Sequence, residues 1–367
     1  MTRKTLLTII ILIIIAVILF VILLTFWFGR RVSITINKDV QGLDEELQEV
    51  FCAASLAPNS HNIQSRMVTV YPKDERITIR TDENRRLAVV DPKDRELYIS
   101  LGCYVETLIQ ALNAYGYDTE YSYDIDGHQC DIIYKKNGAR TDSEKINLIN
   151  KRHTDKRPYI SGKSIDGEAL EKCTDENSNV LFYDIDDDNF EKIGTATMEA
   201  YKKQAYDKNA AEELSGWLRL SDRETLENKD GLSAELLGIS GLKKVLYYLF
   251  TDHESAVGDT FARQGIATCE QQVYNSSGFI VISGSDDEAS LVECGRETVR
   301  LWLALTENGI SVQPLSYAIE DDEYRKAVAD VGGSLQPQML LRVGYVDDYG
   351  ENAGIRRDLP DYITVVD

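Results

Sequence analysis

Residues 5 to 28 form an unbroken apolar tract, Thr5 through Phe28, without one charged side chain. At about 1.5 Å per residue, a helix of that length reaches across a hydrocarbon core of about 30 Å. The tract therefore predicts a membrane span; a cleaved signal peptide is the alternative, disfavoured because bulky Phe26, Trp27 and Phe28 stand where cleavage wants small residues. Beyond it the pattern is that of a globular chain. Arg31 to Asn37 alternates as a strand, and Leu43 to Leu56 repeats apolar residues at helical spacing until Pro58 forbids continuation. Arg66 to Tyr71, Arg76 to Arg80 and Leu87 to Val90 read as short strands. Leu97 to Tyr115 is a strong helix with Gly116 as its stop, and Thr119 to Tyr123 pairs with Cys130 to Lys135 around Asp126-Gly127.

The second half repeats this grammar. Val180 to Ile185 reads as a strand, Phe190 to Asp207 and Asn209 to Leu220 as helices, and Gly278 to Ser283 as a buried strand through its Phe-Ile-Val-Ile core. Ser290 to Asn308 mirrors the first long helix: each has an early glycine (Gly102, Gly295), a terminal glycine (Gly116, Gly309) and a following strand, here Ile310 to Ala318, with Met339 to Gly344 beyond. The pattern predicts an internally duplicated chain of helices and strands: a transmembrane helix over 5–28, a first half over 31–140 and a second over 145–367.

Composition narrows the partners. The chain is 43% hydrophobic and 28% charged, which excludes disorder. After the span come 38 basic and all 61 acidic residues, a net of −23 that should repel nucleic acid and anionic lipid headgroups, so neither is expected as a partner of the soluble part. Arg3 and Lys4 before the span are matched by Arg30 and Arg31 after it, so the flanking charges do not decide orientation. Six scattered cysteines in apolar contexts read as free thiols, which favours the reducing, cytoplasmic side. The four histidines do not cluster with them, so no metal site is named.

Against that acidic background two basic spots stand out: Arg152-His153-Thr154-Asp155-Lys156-Arg157, and Arg356-Arg357 near the end. A solvated loop and a phosphate site are equally good readings of the first. Ala57-Pro58-Asn59-Ser60-His61-Asn62-Ile63-Gln64 gathers short polar side chains after a helix, which suits ordinary loop chemistry or an oxygen-rich ligand.

Together these stretches resemble the nitroreductase family of FMN-dependent oxidoreductases, in the single-chain duplicated form of its Acg-type branch. The resemblance implies an α+β fold in which the flavin lies between two subunits, here two halves. It implies that Pro58, Asn59, Ser60 and Asn62 contact the ring and ribityl chain, and that Arg152, Thr154 and Lys156 take the phosphate and pyrimidine edge. Arg356 or Arg357 would close on the phosphate, and the loop carrying Ser316 and Tyr317 would face flavin N5. The first half keeps the Pro-x-x-x-Asn motif, with only an echo of the basic one in Arg31-Val32-Ser33. The second keeps the basic motif but has no proline at Asn177 to Asp184. One FMN per chain is thus implied, with NAD(P)H and a small nitro, quinone or similar acceptor as partners, and a soluble part that is monomeric. Ser65-Arg66 replaces the family's Pro-Trp. No catalytic side chain is named, because the cofactor carries the hydride. A flavin-sequestering or flavin-sensing protein without turnover is the alternative, and a scaffold that kept only the fold is a third.

Overall fold

The computed structural model describes residues 3–174, 179–332 and 336–366. In chain order its longer elements are α1 (Arg3–Phe28), α2 (Glu45–Ser55), β1 (Arg66–Tyr71), β2 (Arg76–Thr81), α3 (Arg95–Ala114), β3 (Tyr117–Asp124), β4 (Gln129–Lys136), α4 (Ser143–Lys151) and α5 (Gly167–Thr174). The second part comprises β5 (Val180–Asp184), α6 (Asp188–Ala205), α7 (Lys208–Trp217), α8 (Asp222–Asn228), α9 (Gly241–Phe250), α10 (Asp259–Tyr274), β6 (Gly278–Gly284), α11 (Glu288–Glu307), β7 (Ser311–Pro314), α12 (Tyr317–Glu320), α13 (Asp322–Gly332), β8 (Gln336–Gly344) and β9 (Ile363–Val365). This is a mixed α+β architecture, as the resemblance implies.

Two sheets face a shared helical layer. The first runs β3-β4-β2-β1 and the second β7-β8-β6-β5, every neighbouring pair antiparallel. β9, from the end of the chain, adds to the first sheet by pairing parallel with β1, Val68 opposite Ile363. β3 alternates buried and open residues because only one of its faces is covered, whereas every residue of β6 from Gly278 to Ser283 is buried because helices cover both. One core spans both halves, from Phe51 and Leu108 to Trp302 and Leu341. A second core lies under α6 and α10 on the far face of the second sheet.

At the centre, α3 and α11 cross at two glycines. Both helices have 20 residues, and their ends lie 193 positions apart, Arg95 to Glu288 and Ala114 to Glu307. A Cβ on Gly102 would stand 1.9 Å from Val292 O, and one on Gly295 would stand 2.0 Å from Ile99 O. Ile99 and Val292 are also 193 apart, so the contact maps onto itself when the halves are exchanged. Only glycine lets the two backbones approach this closely.

Three expectations are corrected. Arg31 to Asn37 is extended but joins no ladder: Arg31 ties to Asn352, and Asn37 N donates to Asp358 at 2.7 Å. Leu87 to Val90 is a turn, whose Val89 and Val90 amides donate to the Glu213 carboxylate instead of a neighbouring strand. The region from 221 to 277, for which the pattern predicts no element, holds α8, α9 and α10. The start of the Asn177 to Asp184 stretch lies outside the described residues, and Val180–Asp184 is β5 as expected.

Candidate functional site

α2 ends where the sequence says it should, and the corner after it is strained. His61, Asn62 and Gln64 all sit at positive φ (47°, 53° and 54°), a conformation that costs non-glycine residues on the order of 1 kcal/mol each. Cross-links hold the corner in place. Asn59 Oδ1 accepts the Gln64 amide at 2.9 Å, and Asn62 Nδ2 donates to Gly231 O and Ile355 O, both at 3.2 Å. Gln64 Oε1 accepts the Arg357 amide at 2.9 Å. Pro58 is buried beside them.

The basic spots come to this same corner. Arg152, buried, lies with its guanidinium over the Trp302 ring and donates to Leu56 O, while its Nη1 has no partner among the described residues. Burial pushes its pKa down to about 10. Arg356 donates through Nε to Ser55 O at 2.6 Å, and through Nη2 to Leu56 O at 3.1 Å and Ala57 O at 3.4 Å. These are the free carbonyls at the C-terminus of α2, where a cation is favoured. Arg357 Nη1 donates to Gln64 O at 3.3 Å and Nη2 to Asp361 O at 3.0 Å. The resemblance puts Arg356 or Arg357 on a phosphate; the Arg356 guanidinium instead holds the end of a helix. Replacing Arg356 with alanine leaves Ser55 O without its donor, while Leu56 O keeps Arg152 and Ala57 O keeps Asn59 Nδ2, so we expect a loss of about 1–2 kcal/mol in urea unfolding without any ligand. An unchanged midpoint would refute that role.

Thr154 pairs with Val312 as a short parallel bridge, which carries the basic loop along the second sheet. Lys156 follows. Burial alone pushes its pKa down to about 8, and among the described residues no carboxylate pairs with it. His61 lies within its electrostatic reach: burial pushes the imidazole down to about 4, with Glu96 pulling it up and Lys156 pushing it further down. The hydrogen bond from Arg152 to Leu56 O joins the second-half loop to the first-half corner.

Glu96 links the cluster. Burial raises its pKa, but the Arg95 charge and hydrogen bonds from Ser60 and Ser316 outweigh this and hold it ionised. Glu320, half-buried and next to that charge, is driven well above the usual carboxylate range by desolvation and by Glu96 and keeps its proton, with Gln204 Nε2 at 2.5 Å. Tyr317 tilts against Tyr201, their ring centroids 4.4 Å apart. Ser60, His61, Lys156, Ser316, Tyr317 and Glu320 each keep part of their surface open, so a ligand can reach them. Sequence reasoning assigned no role to Glu96, Glu320 or His61. His61 lies inside the motif, and Glu96 was legible only as an acid in the first turn of a helix otherwise read as core.

Space is uneven here. The void lined by Pro58, Asn59, Gln64, Ser65, Arg66 and Tyr104 measures about 10 Å³, room for about one water. A larger cleft of about 490 Å³ lies elsewhere, between Tyr98, His128 and the start of α11. Asp94, Asp286, Asp287 and Glu288 line it and would repel a phosphate. The void behind Pro58 does not admit a ring, and the accessible side is the one bounded by Ser60, His61, Lys156 and Ser316, where Lys156 is the cation an anion would meet.

Neither a family model nor a curated protein matches the chain. Three solved structures resemble it weakly. The FMN-dependent nitroreductase NfnB from Mycobacterium smegmatis, in complex with NADPH, is 18% identical with a TM-score of 0.32, covering 57% of this chain and 89% of that one. A nitroreductase-like family protein from Bacillus cereus is 11% identical with a TM-score of 0.30, over 56% and 87%. A nitroreductase with bound FMN from Bacteroides fragilis is 13% identical with a TM-score of 0.28, over 53% and 82%.

Proposed function

We propose that this chain is a membrane-anchored, nitroreductase-like flavoprotein, internally duplicated, which binds one FMN where its two halves meet. The observation that carries the proposal is Lys156, a half-buried cation with no carboxylate partner among the described residues, within electrostatic reach of His61 and the Ser60–Glu96–Ser316 link. A phosphate or an electron-rich pyrimidine edge is the counter-charge such a group lacks. Duplication is supported by the matching strand order of the two sheets and by the self-mapping contact of Gly102 and Gly295. Membrane anchoring is supported by α1, whose most apolar window has a mean hydropathy of 3.7 and which buries nothing.

Bound FMN would supply hydride transfer between NAD(P)H and a nitro, quinone or similar acceptor. This chain's own residues would do simpler work. Lys156 and the free Nη1 of Arg152 would hold the negative end. Ser60, Asn59, Asn62, Ser316 and Tyr317 would orient the ring and exclude water, and Glu320 would hold a proton beside ionised Glu96. A second reading, flavin sequestration without turnover, is favoured by the small void behind Pro58 and the full engagement of Arg356.

NAD(P)H oxidation separates the two. Full-length protein in detergent with FMN should bleach its flavin absorbance on addition of NADH or NADPH without oxygen, and a quinone or nitroarene should restore it. Stoichiometric FMN that neither nucleotide reduces would select sequestration. Protein that takes up no flavin would end both readings.

A further inference from the structure

One apolar face remains unaccounted for by the candidate site. In α9, Leu242, Leu246, Leu249 and Phe250 are 41%, 44%, 67% and 78% exposed. Their spacing of four, seven and eight residues from Leu242 puts them on a single helical stripe. A soluble surface rarely leaves such a stripe bare. The opposite face of α9 is firmly held: Lys244 is fully buried, with Nζ 2.7 Å from Arg30 O and 2.6 Å from Glu235 Oε1.

The place where α9 is held is informative. Gly241 N donates to Gly29 O at 3.0 Å, and a Cβ on Gly29 would come within 2.7 Å of Gly241 O, so the start of α9 touches the end of α1 backbone to backbone. Val21, Leu24 and Thr25 are the α1 residues partly covered, which sets α9 beside the last two turns of that helix. A helix of 26 residues is about 39 Å long, about 9 Å more than a hydrocarbon core. Trp27, with Arg30 stacked on Phe26 beside it, suits the interface, so that excess taken at the C-terminal end would set the last turns of α1 in the headgroup zone, level with α9. α9 also carries Lys243 and Lys244 and no acid, and Arg30 stands next to it, in a chain of net charge −21.

We propose that α9 is a second membrane contact, an interfacial helix whose Leu242–Leu246–Leu249–Phe250 face enters the leaflet from which α1 emerges, with Lys243 and Arg30 at the phosphate level. The proposal rests on α1 being a span. The protein then stands on the bilayer at two points, which fixes its orientation over the membrane instead of leaving it to swing on a single tether.

The test uses the full chain in vesicles of phosphatidylcholine and phosphatidylglycerol. Phe250→Cys in a Cys52→Ser background carries an environment-sensitive nitrobenzoxadiazole label; Asp186→Cys, in an exposed loop, serves as the water control. The label at 250 should emit further to the blue than the label at 186, and lipids brominated on their acyl chains should quench it several-fold while leaving the control unchanged. Retention of the chain through alkaline carbonate with a water-exposed label at 250 overturns the contact and leaves the span standing. Release by carbonate overturns both. A blue-shifted label that brominated chains do not quench places protein, such as a second copy, on this face and also overturns the lipid contact.

Discussion

Gly102→Ala should cost more than about 4 kcal/mol of folding stability, the range reserved for core overpacking with no room to relax. The new methyl would stand 1.9 Å from a backbone carbonyl on α11, not from a flexible side-chain tip, so the helices must separate along their whole contact. Gly295→Ala should cost a similar amount, because its methyl would meet Ile99 O at 2.0 Å. The double variant should cost clearly less than the sum of the two, since one separation of α3 and α11 relieves both clashes. Gly216→Ala in α7 is the control: its Cβ would meet nothing within 4 Å, and the exchange should stabilise by about 0.5–1 kcal/mol. Urea unfolding of the full chain in detergent measures all four. A Gly102→Ala variant within about 0.5 kcal/mol of the parent would show that the two halves do not meet through this contact.

The second large effect is expected at Lys156 and has opposite signs for stability and binding. Removing a half-buried cation that has no carboxylate partner among the described residues should stabilise the ligand-free protein, so Lys156→Met should melt above the parent. The pH dependence fixes the cause. The lysine has a pKa of about 8 in the folded chain against 10.5 unfolded, so the unfolded state binds more protons between those values. The penalty is therefore fully present below pH 8 and fades as the pH rises toward 10.5, and the gap between Lys156→Met and the parent should close over that window. FMN binding should weaken by about 10- to 100-fold, the loss of one charge-assisted contact. A variant that binds FMN like the parent would remove Lys156 from the site.

Much of this architecture was legible, and the misses have physical causes. The long helices α3 and α11 announced themselves because nearly all their faces are buried and each ends at a glycine. The strand at Gly278 was legible because helices on both faces of its sheet demand a continuous apolar run. Arg31 to Asn37 misled because alternation records which side chains turn inward, not whether a neighbouring strand exists to pair with. β9 escaped notice because three residues carry too little pattern, and its partner lies almost 300 positions earlier. α9 was hidden for a different reason: its apolar stripe faces outward, and Lys244 points into the protein, so its pattern runs opposite to that of a core helix. At the site, the motifs located the corner and its cations. They did not reveal that Arg356 would be engaged by the end of α2, or that Glu96 would join Ser60 to Ser316, because both depend on which backbone groups arrive without partners.

The central claim is that one flavin pocket is built from both halves of a single chain. Titration of FMN fluorescence with the full-length protein tests it most directly. The account predicts saturation at one FMN per chain, weakened by Lys156→Met. No saturable quenching by the folded parent, or two equivalents per chain, would contradict it.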